Sequence, residues 1–525
     1  MDEFDEPTAY PALGYKVKPR VLDISRGMTF VSMKDQVVRG RWVVDALVGA
    51  RALSPSAKET SSNPKKFELL IIGAGVAGVA AGLRAAELNI RTLIVDRAGE
   101  ALSRQENSNR LVSLSLYDWP VQHWDKGPWP HVEPVDYAFG ATPSPSPSCL
   151  QGLPPPGVVW SASNLVKDWK KKFDAVANTA SSCLKFEPHC GLISGRSIRY
   201  RWTSWWYRVK VMLAYTHKHP SLSGTNLVVR PQIVLFALGP PPEETRVGEY
   251  TGMPFWSSES SKQSLKTAPT DHDCLADKVI GDAKGTAFTS ILISGGGDSA
   301  VQDFLRAVLL PLTFHNLEEV IGVLKKARWT SAEFERLERD ILAAVWQSER
   351  VRQLGGGGLS INYALHLRIE NAVEEFVKPM AGGGKGFDSS LALAIDSMLR
   401  PNLPIVTWII DADPPYFGGG YVLNRFLGIL FLKYLKYKGQ PINVQSGKLA
   451  SVELQPSSGD FYAEWVSSSN AQKRSGVTVN EAIIHHGPSK TRDSQPVSWT
   501  LLANLRYRGL RNVFERLVQP FKPIT

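Results

Sequence analysis

The chain has only four cysteines, Cys149, Cys183, Cys190 and Cys274, and none forms a CxxC pair. So few thiols cannot staple a chain of this length, and a dithiol redox pair is not expected. Sparse cysteine suits a reducing compartment, so the cytoplasm is the expected location. Long apolar runs are missing too. The longest late stretch, FLGILFL from Phe426 to Leu432, is far short of the roughly 20 residues that a membrane span requires, so no span is expected. The start, MDEFDEPTAY, lacks the basic-then-apolar pattern of a secretory signal. There is no GxSxG nucleophile elbow and no Walker GxxxxGK[ST] loop. FEPHC, Phe186 to Cys190, lacks the spaced ligand pairs of a structural zinc site, and no metal is expected. Nor is positive charge concentrated: the net +10 is spread over Lys170 to Lys172, the stretch from Arg196 to Arg208, Lys325-Lys326 and the C-terminal arginines. That dispersal gives no nucleic-acid footprint, whereas local positive potential suits anionic dinucleotides and a small-molecule substrate.

What is present is ordinary for a globular protein: 43% hydrophobic and 21% charged residues. A length of 525 residues accommodates two or three packed units. Residues 1–52 carry short strand-like runs, MTFVSM and RWVVDALV, and a Ser/Pro/Lys linker follows. The expected division is an N-terminal extension and linker at 1–65, a first α/β domain beginning at 66–255, a second at 256–480, and a return to the first at 481–525. The second domain carries a helical insertion at about 315–400, where SAEFERLERDILAAVWQSERV and NAVEEFVKPM have helical spacing. NLVKDWKKKFDAVANTA reads as an amphipathic helix, RYRWTSWWYRVKVMLAYTH as alternating strands, and QIVLFALG, LPIVTWIID and NEAIIHHGP as buried strands.

The most informative stretch is LLIIGAGVAGVAAGLRAAELNIRTLIVDR, Leu69 to Arg97, which reads strand, glycine turn, helix, strand, acid. In such a unit Gly73 permits the tight turn, Gly75 lets backbone approach a diphosphate, and Gly78 allows helix to pack on strand. The diphosphate sits on helix N-terminal N–H groups, where the helix dipole favours negative charge. Asp96, roughly 20 residues further on, is placed to accept from ribose hydroxyls. A second junction follows the apolar run FTSILIS: Gly295, Gly296, Gly297, Asp298, Ser299 and Ala300 fit GxGxxA. Its acid would be Asp411 or Asp413, should PIVTWIID be its second strand, and an acid there disfavours a 2′-phosphate. Either turn also has a purely structural reading, a Rossmann-like unit without ligand. Two such junctions suit a relay between NAD(P)H and a flavin.

Here the chain resembles the two-dinucleotide-binding flavoproteins, and among them the flavin-containing monooxygenases, most clearly over 67 to about 310 and more faintly over 404–488. The resemblance implies an FAD-dependent oxidoreductase that takes hydride from NAD(P)H. The implied fold is a three-layer, Rossmann-like FAD-binding domain with an inserted second, NAD(P)-binding Rossmann-like domain. By the same resemblance Gly73, Gly75, Gly78, Asp96 and the adjacent Arg97 are expected FAD contacts, and Gly295, Gly297, Asp298, Ser299 and Ala300 belong to the second cofactor. NSNRLVSLSLYDWPVQHWDKGPWP looks like a flavin-lining segment with Arg110 as its cation, although an exposed loop arginine is an equal reading. Ala237-Leu238-Gly239 resembles the Ala-Thr-Gly corner of the family, so Gly239 carries over and the threonine hydroxyl does not. HHGP, His485 to Pro488, is expected as the corner where the chain returns to the flavin, with Gly487 near it. The family's F-x-G-x-x-x-H signature is replaced after Phe255 by FWSSESSKQS, which argues against substrate hydroxylation. That departure keeps open a redox-inactive FAD-binding sensor or scaffold.

Overall fold

The computed structural model describes residues 16–18, 20–25, 33–54, 67–106, 108, 111–112, 160–179, 182–193, 197–203, 206–216, 218, 221–239, 244–252, 289–310, 317–328, 334–341, 344, 358–378, 386–417, 421–470 and 472–486. Arg110, Phe255 and Gly487 lie outside them. In chain order the first part comprises β1 (Lys16–Lys18), β2 (Val21–Asp23), α1 (Met33–Gly49), β3 (Leu69–Ile72), α2 (Val76–Glu87), β4 (Thr92–Val95), β5 (Leu111–Val112), β6 (Trp160–Ser161), α3 (Ala162–Ala177), β7 (Leu184–Glu187), β8 (Cys190–Leu192), β9 (Ile198–Thr203), β10 (Trp206–Tyr215), β11 (Asn226–Val229), β12 (Ile233–Phe236), β13 (Arg246–Val247) and β14 (Tyr250–Thr251). The remainder comprises β15 (Ser290–Ser294), α4 (Asp298–Val308), α5 (Leu317–Arg328), a helical segment at 334–341, α6 (Gly358–Val377), α7 (Ser389–Asp396), β16 (Ile405–Ile410), α8 (Val422–Tyr437), β17 (Ile442–Leu454), β18 (Phe461–Ser467), β19 (Arg474–Val479) and β20 (Glu481–Ile484).

The first sheet has the order β1-β2-β12-β3-β4-β7, all parallel except β1. Because neighbouring side chains on a strand point to opposite faces, its apolar strands fill two cores. Leu69 and Ile71 face α1, α2 and α3 together with Val43, Leu47, Val79 and Trp169. Leu70 and Ile72 face the antiparallel strands, meeting Cys190, Val209, Val211 and Leu213. The result is three layers: helices, parallel sheet, antiparallel sheet. Two features of the N-terminal segment differ from expectation. RWVVDALV is not a strand but part of α1, because Val37, Val43, Val44 and Leu47 repeat at helical spacing and are buried together. The segment also joins the first domain: β2 pairs with β12, and α1 packs on α2. Gly40 permits that helix contact, since a Cβ there would lie 2.3 Å from the Ala77 carbonyl oxygen.

The second sheet runs β19-β18-β17-β16-β15-β20, with β17, β16, β15 and β20 parallel and β18 and β19 completing an antiparallel meander. PIVTWIID thus forms the strand beside β15, as a βαβ unit with a long crossover requires. One face of this sheet packs on α4 and α8. The helices of the insertion enter the same core through Leu324, Phe334, Phe376 and Ile395, which makes the insertion packing support for the second sheet. FLGILFL lies within α8, a buried helix of 16 residues. The other face closes on Leu449, Phe461, Trp465 and the hairpin residues Val247 and Tyr250. Among the described residues no helix is long and apolar enough to cross a membrane.

Candidate functional site

The first glycine turn is built by three adjacent parallel strands, β12, β3 and β4. Gly73 takes φ +111°, a left-handed conformation that favours glycine, and a Cβ on it would stand 2.5 Å from the Ala237 carbonyl oxygen. Its N–H donates to the Val95 carbonyl at 2.9 Å, and Ala237 N–H donates to the Ile72 carbonyl at 2.9 Å. Gly78 rests on the turn, its position leaving only 1.9 Å between a hypothetical Cβ and the Gly73 carbonyl oxygen. Gly75 differs from both. It is the N-cap of α2 in extended conformation, no side chain caps the helix, and nothing lies within 4 Å of where its Cβ would be. The helix N-terminus therefore opens onto space, as anion binding by backbone N–H groups requires.

That space is a cleft of about 350 Å³ along the carboxyl ends of the strands, in the range of ligand sites. Asp96 borders it and braces the turn: one carboxylate oxygen accepts from Ala74 N–H at 2.6 Å, the other from Ala98 N–H at 2.7 Å. A carboxylate oxygen accepts more than one donor, so ribose hydroxyls can still bond there. Arg97 lies alongside, with its guanidinium donating to the Leu192 carbonyl at 2.8 Å and its stem covering Gly191. Gly239, at φ +70°, ends the corner on the opposite side. The sequence-derived residues Gly73, Gly75, Asp96, Arg97 and Gly239 are thus gathered on one cleft, with Gly78 directly behind it.

Sequence reasoning missed four of the walls. Ser103, Arg104 and Gln105 line the cleft from the loop after β4, which is drawn over the turn by Leu102 N–H donating to the Ala74 carbonyl at 2.8 Å. Gln36 lines it from α1, and no local pattern marks that residue, because it arrives through the non-local pairing of β2 with β12.

The second turn repeats the first. Gly295 has φ +126°, its N–H donates to the Ile409 carbonyl at 2.9 Å, and a Cβ there would meet the His485 carbonyl oxygen at 2.0 Å. His485 N–H donates to the Ser294 carbonyl at 2.8 Å, the counterpart of Ala237 on Ile72. Gly297 is the extended, uncapped N-cap of α4 and has open space where its Cβ would be. Ser299 is half-buried in the first turn, and Ala300 is fully buried in the small packing position. Asp298 does something the motif did not announce: its carboxylate accepts from Tyr421 N–H at 2.9 Å, from Asn424 and, at 2.8 Å, from Gln302. It ties the turn to the start of α8. Loss of solvation raises its pKa against the opposing pull of Asn424, Tyr421 N–H, Gln302 and Arg425. Asp411 directly follows β16, at the position for the second strand's acid.

The corner histidines each bond a neighbouring side chain. The His485 ring bonds buried Asp303, Nε2–Oδ2 2.7 Å, and Arg306 lies 3.3 Å from the other oxygen of the same carboxylate. The His486 ring lies 2.8 Å from the Ser294 hydroxyl. Cys190 borders the first cleft, and burial followed by the Glu187 charge pushes its thiol up to about 12, so it is a weak nucleophile at neutral pH.

No family model and no curated protein matches the chain. It is similar to several solved structures at low identity. Thioredoxin reductase of T. acidophilum is 11% identical over 81% of this chain and 77% of that one, with a TM-score of 0.32. Bacillithiol disulfide reductase from Staphylococcus aureus is 10% identical over 82% and 79%, at 0.34. An FAD-bound cadaverine monooxygenase of desferrioxamine biosynthesis from Erwinia amylovora is 11% identical over 82% and 80%, at 0.30. What each glycine turn can hold follows from its own geometry.

Proposed function

We propose that the chain is an FAD-dependent oxidoreductase that draws reducing equivalents from NAD(P)H, with FAD on the first glycine turn and the nicotinamide dinucleotide on the second. The observation that carries this reading is the repetition of one junction: at both turns a left-handed glycine is wedged under a neighbouring strand's carbonyl, and an uncapped helix start faces open space. Dinucleotides need that combination, because the diphosphate requires close backbone approach and several unobstructed N–H donors. FAD is assigned to the first turn because its cleft continues past the diphosphate position to Leu238 and Gly239, leaving a wall for a second, larger half.

When bound, FAD would supply hydride acceptance and NAD(P)H the hydride. The chain's own part is holding and orienting. Asp96 takes ribose hydroxyls, the α2 N-terminus takes diphosphate, and the corner from Ala237 to Gly239 bounds the far half. At the second turn Asp411 accepts ribose hydroxyls and repels a 2′-phosphate, which favours NADH. With Cys190 held as a neutral thiol, disulfide exchange is not part of the proposal.

The test is an anaerobic absorbance titration of the FAD-loaded protein with NADH and then NADPH. Loss of the oxidised-flavin band on adding either cofactor supports the relay and names the donor. Bound flavin that stays oxidised with both sinks the relay and leaves a redox-inactive nucleotide-binding protein.

A further inference from the structure

We propose that the segment preceding the first glycine turn completes the FAD cleft, and that Gln36 contacts the half of the dinucleotide lying beyond the diphosphate; this rests on the dinucleotide reading of that cleft. Although β2 comes before the turn in the chain, it stands on the far side of β12 in the sheet. Ligands of open parallel sheets lie across the carboxyl ends of the strands. Along that edge Asp96 follows β4, the glycine turn follows β3, Gly239 ends the corner after β12, and α1 comes after β2. With ribose at Asp96 and diphosphate over the glycine turn, the remaining half runs toward β12 and β2. There Gln36 forms the wall.

Gln36 is 8% exposed and borders the cleft from the first turn of α1. Its amide both donates and accepts, which matches a chain of hydroxyls leading to a planar heterocycle with polar edges. Two contacts hold this wall in place. Ser25, just after β2, accepts from Leu238 N–H at 2.9 Å, while its own N–H donates to Asp23 at 2.9 Å, so the segment pins the corner that bounds the same half. Gly40 seats α1 against Ala77 of α2, the helix whose N-terminus faces the diphosphate. Gln36 is therefore placed relative to the glycine turn by packing on both sides.

The experiment compares affinities for FAD and ADP, measured by calorimetry on the full, flavin-stripped chain, in the natural protein, Gln36→Ala and Gln36→Asn. ADP ends at the diphosphate and does not reach Gln36. Gln36→Ala is expected to weaken FAD by about 5- to 10-fold, the loss of one or two hydrogen bonds, and to leave ADP within about twofold. Gln36→Asn keeps the amide with a shorter reach and is expected to show the same selective loss, which covers the case of an alanine variant that does not fold. Equal weakening of FAD and ADP, or unchanged FAD affinity, overturns the assignment. A natural protein that binds neither ligand refutes the dinucleotide reading itself, and the proposal falls with it.

Discussion

Alanine at Gly75 and at Gly78 should separate ligand binding from folding. At Gly75 the backbone is φ −72°, ψ −174°, a conformation open to alanine, and the new methyl group meets nothing within 4 Å. The variant therefore folds, and its apo form is unchanged or more stable by up to about 1 kcal/mol through lower unfolded-state entropy. That corresponds to roughly 2–4 °C in melting temperature for a domain of 150–250 residues. Yet the methyl group occupies the space through which a diphosphate approaches, so FAD affinity falls by about 100-fold or more. At Gly78 the methyl carbon would stand 1.9 Å from the Gly73 carbonyl oxygen, a backbone atom held in the turn. Helix and strand must separate by about 1 Å or more, at a cost of about 3 kcal/mol or greater, so stability and affinity fall together. Thermal melts of the apo proteins and flavin titration read the two quantities independently. A Gly75→Ala variant that binds FAD normally refutes diphosphate at this turn, and one that melts as early as Gly78→Ala refutes the open geometry.

Gly295→Ala combines φ +126° with a Cβ 2.0 Å from the His485 carbonyl oxygen. It is expected to lower the second domain's melting transition and abolish nicotinamide binding while FAD still binds, since distant sites act nearly independently. Asp411→Ser is expected to narrow an NADH over NADPH preference by about tenfold, read as the ratio of flavin reduction rates; an unchanged ratio removes Asp411 from ribose recognition. His366 is buried, and loss of solvation, reinforced by Arg425 and Lys433 against Glu370, lowers its pKa to about 4. Native His366 is thus neutral where the unfolded side chain, near 6.5, already binds a proton, so stability is lost as pH falls from about 6.5 to 4, by about 3 kcal/mol. His366→Gln should flatten the denaturation profile in that window, and an unaltered slope would place the pH dependence elsewhere.

Both glycine turns were legible in the sequence because their requirements are local. A turn that demands positive φ, a backbone left bare for a ligand, and a small residue for helix packing each select a residue type at fixed spacing, and Gly73, Gly75, Gly78, Gly295, Gly297 and Ala300 meet those demands within a few positions of one another. Asp96 was legible for the same reason, being one strand further on. The alternating runs of β9 and β10 and the buried runs of β12, β16 and β20 could be read because side-chain direction follows local backbone period. Tertiary structure decided what depends on non-local pairing. Nothing near Val21 to Asp23 says that this strand will lie beside β12, and nothing near Gln36 says that α1 will wall the first cleft. RWVVDALV became helix because burial against α2 rewards its helical face, outweighing a short strand-like pattern. Asp298 was readable as a motif residue, but its tie to Tyr421 and Asn424 exists only once α8 has packed into the same core as α4. Residue types and spacings thus specified the backbone geometry of each turn, and packing between distant segments specified which other side chains line the first cleft.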